Sequence, residues 1–78
     1  MKELTARQRQ VLLLVANGNT NASIARALGL GTATVCRHLA EIFARLGASD
    51  RAQAVAIALA VGELGVHQIH VPDQQRAA

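Results

Sequence analysis

The stretch IARALGLGTATVCRHLA, residues Ile24 to Ala40, decides the fold. Two short segments with helical apolar spacing flank Gly29-Leu30-Gly31, and the second opens with Thr-Ala-Thr-Val. A break of this kind lets two helices pack at a steep angle. One helix then supports the other in a DNA groove.

The flanks extend the pattern in both directions. Thr20 predicts a cap for a short helix over about 20–28, with Ile24, Ala25 and Leu28 as its apolar face. Gly29 ends that helix by taking a positive φ. A third helix is predicted over 32–46. Its Val35, Leu39, Ile42, Phe43 and Leu46 form a clear apolar stripe, and Gly47 is its stop. Upstream, Thr5 predicts the cap of a first helix over about 5–17, with Leu4 packing back onto it and Gly18 beyond its end. Val11, Leu12, Leu14 and Val15 mark its inner face. Downstream, Ser49 is the expected cap of a fourth helix over about 50–61, with Asp50 in its first turn. The fold class is therefore all-α, a four-helix helix-turn-helix bundle.

The fourth helix differs from the others. From Ala54 onward it is apolar all round, and a domain of 78 residues cannot bury both sides of it. A homodimer contact through Val55, Ala58, Leu59 and Gly62 accounts for this. The plainer reading is alanine kept at the surface for its helix propensity. Past Gly62 the pattern fades: Val66, Ile69 and Val71 fit either a helix extension or a loose strand, and 72–78 reads as a frayed tail. This divides the chain into a domain at 1–62 and a partly flexible C-terminal extension at 63–78.

Composition excludes several classes. Half of the chain is apolar but Phe43 is its one aromatic residue, so the core is aliphatic. The net charge of +3 suits a polyanionic partner without demanding one. A single cysteine, Cys36, rules out an internal disulfide and a cysteine zinc cage. No apolar run approaches the ~20 residues that span a bilayer, and the start lacks signal-peptide character. A cytoplasmic protein with no membrane partner is expected. No nucleophile–base spacing and no phosphate loop is present, so no enzyme and no cofactor is expected. His67 and His70 stand at i, i+3 without an acidic or thiol partner, which reads as a solvated turn rather than a metal site.

Helical arithmetic, at roughly 100° per residue, locates the outer face of the third helix. Arg37 and Ala44 lie opposite the apolar stripe, flanked by Ala33, Ala40 and Glu41, with Cys36 nearer the edge. Small side chains allow close approach to a groove floor, and an arginine among them can form two hydrogen bonds to a guanine edge. Thr32 and Thr34 stand where first-turn N–H groups and hydroxyls meet phosphates. The plain alternative is a solvated Arg37 paired with Glu41 at i+4. His38 fits a phosphate donor or a half-buried space filler equally well. Cys36 reads as a small apolar contact.

The wider spacing is more specific. Leu4-Thr5-x-Arg7, Val11-Leu12, Ala16-x-Gly18-x-Thr20-Asn21-x-x-Ile24-Ala25-x-x-Leu28, Thr34-Val35-x-x-His38-x-x-x-Ile42-x-x-Arg45-Leu46 and Arg51-x-x-Ala54 together resemble the DNA-binding domain of the LuxR/GerE family. The resemblance runs without gaps from about Leu4 to Leu59. It implies duplex DNA binding as a dimer, with the second and third helices as the helix-turn-helix and the fourth as the dimer contact. A start at Met1 directly before the motif resembles the stand-alone members. The resemblance places Thr20, Asn21, Thr34, His38 and Arg45 at phosphates, and Arg51 either there or as a brace to Asp50 or the first helix. Where the family usually carries acidic residues this chain has Gln8 and Gln10. It has Gly31 in place of the usual Ser, which shifts the expected cap of the third helix to Thr32. It has Cys36 in place of a DNA-contacting Lys, and Ala40 where a polar or basic reader is common. Base reading therefore falls on Arg37, with Ala33, Cys36 and Ala40 beside it. The rival reading is a protein-interaction module of the same fold that binds RNA polymerase or another regulator.

Overall fold

The computed structural model describes residues 3–72. Four α-helices form one bundle: α1 (Ala6–Ala16), α2 (Asn21–Leu28), α3 (Thr32–Leu46) and α4 (Arg51–Val61), followed by a single 3₁₀ turn over Val66–Gln68. No strand occurs among the described residues. The tail expected over 72–78 lies, past Pro72, outside them.

Local chemistry sets each boundary. Thr5 caps α1, its Oγ1 accepting from Gln8 N at 3.1 Å while Gln8 Oε1 accepts from Thr5 N at 2.9 Å. This reciprocal box satisfies two N–H groups that the helix itself leaves unpaired. Thr20 caps α2 in the same sense, accepting from Ser23 N. Gly29 ends α2 at φ 69°, a left-handed conformation that costs a residue with a side chain about 1–2 kcal/mol.

Two expected caps are corrected. α4 is capped by Asp50, not Ser49: the Asp50 carboxylate accepts from Gln53 N at 2.8 Å, while Ser49 N donates to Gln53 Oε1. α3 has Gly31 at its cap and no side-chain cap at all, since Thr32 is already its first helical residue. Its opening N–H groups thus face outward without a side-chain acceptor.

The core is aliphatic. Leu12, Ile24, Ile42, Val11 and Val35 are its largest fully buried side chains, and Leu4, Leu39, Leu46, Ala54 and Ala58 close it. Phe43 packs against this cluster while remaining half-buried. Burial of this aliphatic surface is the main stabilising term, at about 25 cal/mol per Å².

Two expectations about the C-terminal half change. Ala58 is fully buried within the bundle, so it faces the core and leaves the outer face of α4 to other residues. The folded unit also extends past Gly62. Leu64 is 3% exposed and belongs to the core. Glu63 accepts from Leu4 N at 3.2 Å and pairs with Arg9 at 3.2 Å. Asn17, at the end of α1, receives His70 N and donates to Gln68 O. The segment after α4 is therefore a strap across α1, neither a helix extension nor a strand. His67 and His70 are both exposed on this strap.

Candidate nucleic-acid interface

The outer face of α3 follows from its stripe. With Val35, Leu39, Ile42 and Leu46 turned inward, Ala33, Cys36, Arg37, Ala40, Glu41 and Ala44 are all exposed. Arg37 forms no hydrogen bond or ion pair among the described residues. Glu41 does not take it at i+4; instead Glu41 Oε1 accepts from Gln8 Nε2 at 3.5 Å. Gln8 is 4% exposed, and this contact ties α1 to α3 through its amide. The cation is thereby left available in the middle of a ridge of small side chains.

The start of α2 lies close to this ridge. Asn21 Nδ2 donates to Cys36 Sγ at 3.5 Å, and Asn21 Oδ1 accepts from Arg51 Nη1 at 3.2 Å. Arg51 Nη2 also donates to Asn19 O at 3.1 Å. These bonds hold the Arg51 guanidinium, from the first turn of α4, at the N-terminal end of α2. Helix N-termini carry partial positive charge, so an arginine fixed there concentrates positive potential at one point. A hollow of about 430 Å³ opens between these elements, lined by Asn21, Cys36, Leu39, Ala40, Phe43, Ser49, Asp50 and Arg51.

The expected contact residues fall into three groups. Arg37, Ala33, Cys36 and Ala40 share the α3 ridge, with Thr32 exposed at its start. Asn21, Thr20 and Arg51 gather at the start of α2, where Thr20 Oγ1 is committed to its capping bond and to Ser23 Oγ. Thr34 and His38 are half-buried on the flank of α3. Arg45 stands apart, because its Nη1 donates to the carbonyl of Glu3 at 2.8 Å and braces the N-terminal segment. The sequence pattern singled out Asn21, Cys36 and Arg51 separately. Their mutual contacts span 15 and 30 residues and leave no mark in local spacing.

Comparison with known proteins agrees with the four-helix fold. The family model described as bacterial regulatory proteins, luxR family, matches residues 2–58. The chain is 43% identical over 61 residues to the probable transcriptional regulatory protein SgaR of Hyphomicrobium methylovorum, covering 78% of this chain and 29% of that one. It is 44% identical over 54 residues to the putative HTH-type transcriptional regulator YhjB of Escherichia coli, covering 69% of this chain and 27% of that one. Among solved structures, a Vibrio cholerae VqmA dimer without its target DNA superposes with a TM-score of 0.74 at 34% identity, over 80% of this chain and 28% of that one. A VqmA–ligand–DNA complex superposes with a TM-score of 0.72. The chain thus spans less than a third of the length of these relatives. No helix among the described residues is long and apolar enough to cross a membrane. Fold, motif spacing and relatives agree: the chain belongs to the LuxR family of bacterial regulatory proteins and forms its helix-turn-helix domain.

Proposed function

We propose that this chain is a sequence-specific transcriptional regulator that places α3 in the major groove of duplex DNA and acts as a homodimer through α4. The observation that carries the reading is the unpaired Arg37 at the centre of an exposed ridge of small side chains. Arg37 reads a guanine edge with two hydrogen bonds, while Ala33, Cys36 and Ala40 allow the groove floor to come close. Arg51, Asn21, Thr20 and the uncapped start of α3 with Thr32 and Thr34 meet phosphates, with His38 on the flank. VqmA, a relative of known structure, has been solved as a dimer and with DNA. On α4 of the present chain, Ala56 and Ala60 are exposed and Val55 and Leu59 half-exposed, an apolar face suited to a second copy around Gly62.

Fluorescence anisotropy on labelled duplexes tests this. Wild type is expected to bind random duplex at low salt with a shallow salt dependence, since few cations face the ridge. Arg37→Ala is expected to weaken a selected site by about 1–3 kcal/mol and to change random-duplex binding far less. Equal losses on both duplexes contradict base reading by Arg37. Absence of any duplex binding at low salt contradicts the DNA reading and favours a protein partner such as RNA polymerase or another regulator.

A further inference from the structure

We propose that the wall formed by Cys36 and Ala40 reads a pyrimidine 5-methyl group, so that each half-site carries a methyl-bearing pyrimidine beside the base contacted by Arg37. The inference rests on the duplex-binding reading above and adds to it a base preference.

Cys36 and Ala40 are one helical turn apart, both exposed, and both line the hollow of about 430 Å³ beside the ridge. Its inner wall continues into Leu39 and Phe43, so an entering group meets carbon and sulfur on that side. The polar residues Asn21, Ser49, Asp50 and Arg51 complete the lining.

The hydrogen-bond pattern decides what this wall can recognise. Cys36 Sγ already accepts from Asn21 Nδ2, and Asn21 Oδ1 is taken by Arg51. What remains of Cys36 is a weak S–H donor and a polarisable surface, and Ala40 offers a methyl group alone. Against that wall guanine O6 and N7 would gain at most a weak S–H bond, and cytosine N4 and adenine N6 none, for the water they lose, which is costly. The C5-methyl of thymine loses no hydrogen bond there and gains buried area. 5-Methylcytosine offers the same methyl group beside an amine, so one contact chemistry covers two bases.

The full 78-residue chain is tested on a duplex selected from a random pool. Each thymine is replaced in turn by deoxyuridine, which removes the methyl group and keeps the pairing edge. At one or two positions per half-site the loss is expected to be about fourfold, the value of one buried methylene-sized group. A cytosine at the same position is expected to bind about fourfold tighter when it is 5-methylated, while remaining weaker than thymine. The double variant Cys36→Lys, Ala40→Lys, both at exposed helical positions, is expected to bind duplex more tightly and to lose the thymine-to-uracil ratio. Tight binding with no methyl-sensitive position overturns the proposal and leaves the duplex-binding reading standing. Survival of the ratio in the double variant also overturns it. Absence of duplex binding overturns the underlying reading and this one with it.

Discussion

Ala58→Glu is expected to unfold the chain. Ala58 is fully exposed to the core and not at all to solvent, and its carbonyl accepts from Glu63 N and Leu64 N as the chain turns off α4. A carboxylate placed there has no cationic partner in the aliphatic cluster. An uncompensated buried charge costs about 3–5 kcal/mol, and the extra atoms add about 1–3 kcal/mol of overpacking. The whole stability of a 78-residue domain is about 4–12 kcal/mol at typical values per residue. Loss of the helical circular-dichroism signal at room temperature is the expected result. An Ala58→Glu protein as stable as wild type contradicts the placement of this residue. Ala60→Glu is the contrasting variant, because Ala60 is exposed. It is expected to keep its fold within about 0.5 kcal/mol and to sediment as a monomer where wild type sediments as a dimer. A dimer that persists in Ala60→Glu contradicts the proposed role of α4.

Truncation after Gly62 is expected to have the second largest effect. It removes Leu64 from the core, the Glu63 carboxylate from Leu4 and Arg9, and the strap from Asn17. The loss of Leu64 alone is worth about 2–5 kcal/mol. The Arg9–Glu63 pair adds less, about 1 kcal/mol at most, because the Arg9 side chain is 44% exposed. A melting temperature lowered by roughly 10–30 °C is expected, since 1 kcal/mol moves a domain of this size by about 4–8 °C. Leu64→Ala in the full chain is expected to reproduce most of the drop. An unchanged midpoint after truncation contradicts the strap and returns the boundary to Gly62.

The contrast between these two regions shows what could be read from the chain. Helix limits were legible because their signals are local: Thr5 and Thr20 bond N–H groups three residues away, and Gly29 turns the chain within a single residue. The face of α3 was legible because its large apolar residues form a single stripe, with Arg37 on the opposite side. α4 has no such marker from Ala54 onward, so nothing in its spacing separates buried Ala58 from exposed Ala60. Leu64 lay in a stretch without periodicity, and its burial comes from a turn that Ala58 O anchors. Ser49 and Asp50 are both good capping residues side by side, and only the backbone geometry selects Asp50.

The same division holds for the candidate interface. Arg37, Ala33 and Ala40 were placed by helical arithmetic and stand exposed together. The ties of Asn21 to Cys36 and Arg51, and of Arg45 to Glu3, join residues 15 to 42 positions apart. Such contacts depend on how the helices cross, which local spacing does not encode. They matter chemically, because they fix Arg51 at the start of α2 and draw Arg45 away, while the Gln8–Glu41 contact leaves Arg37 unpaired.

Selection of bound duplexes from a random pool by the full chain tests the central claim most directly, because it reports binding, base preference and geometry together. The expected outcome is a two-fold symmetric site whose half-sites are spaced for a dimer, each with a guanine and a neighbouring methyl-bearing pyrimidine. A pool that remains random after repeated rounds at low salt contradicts sequence-specific recognition by α3.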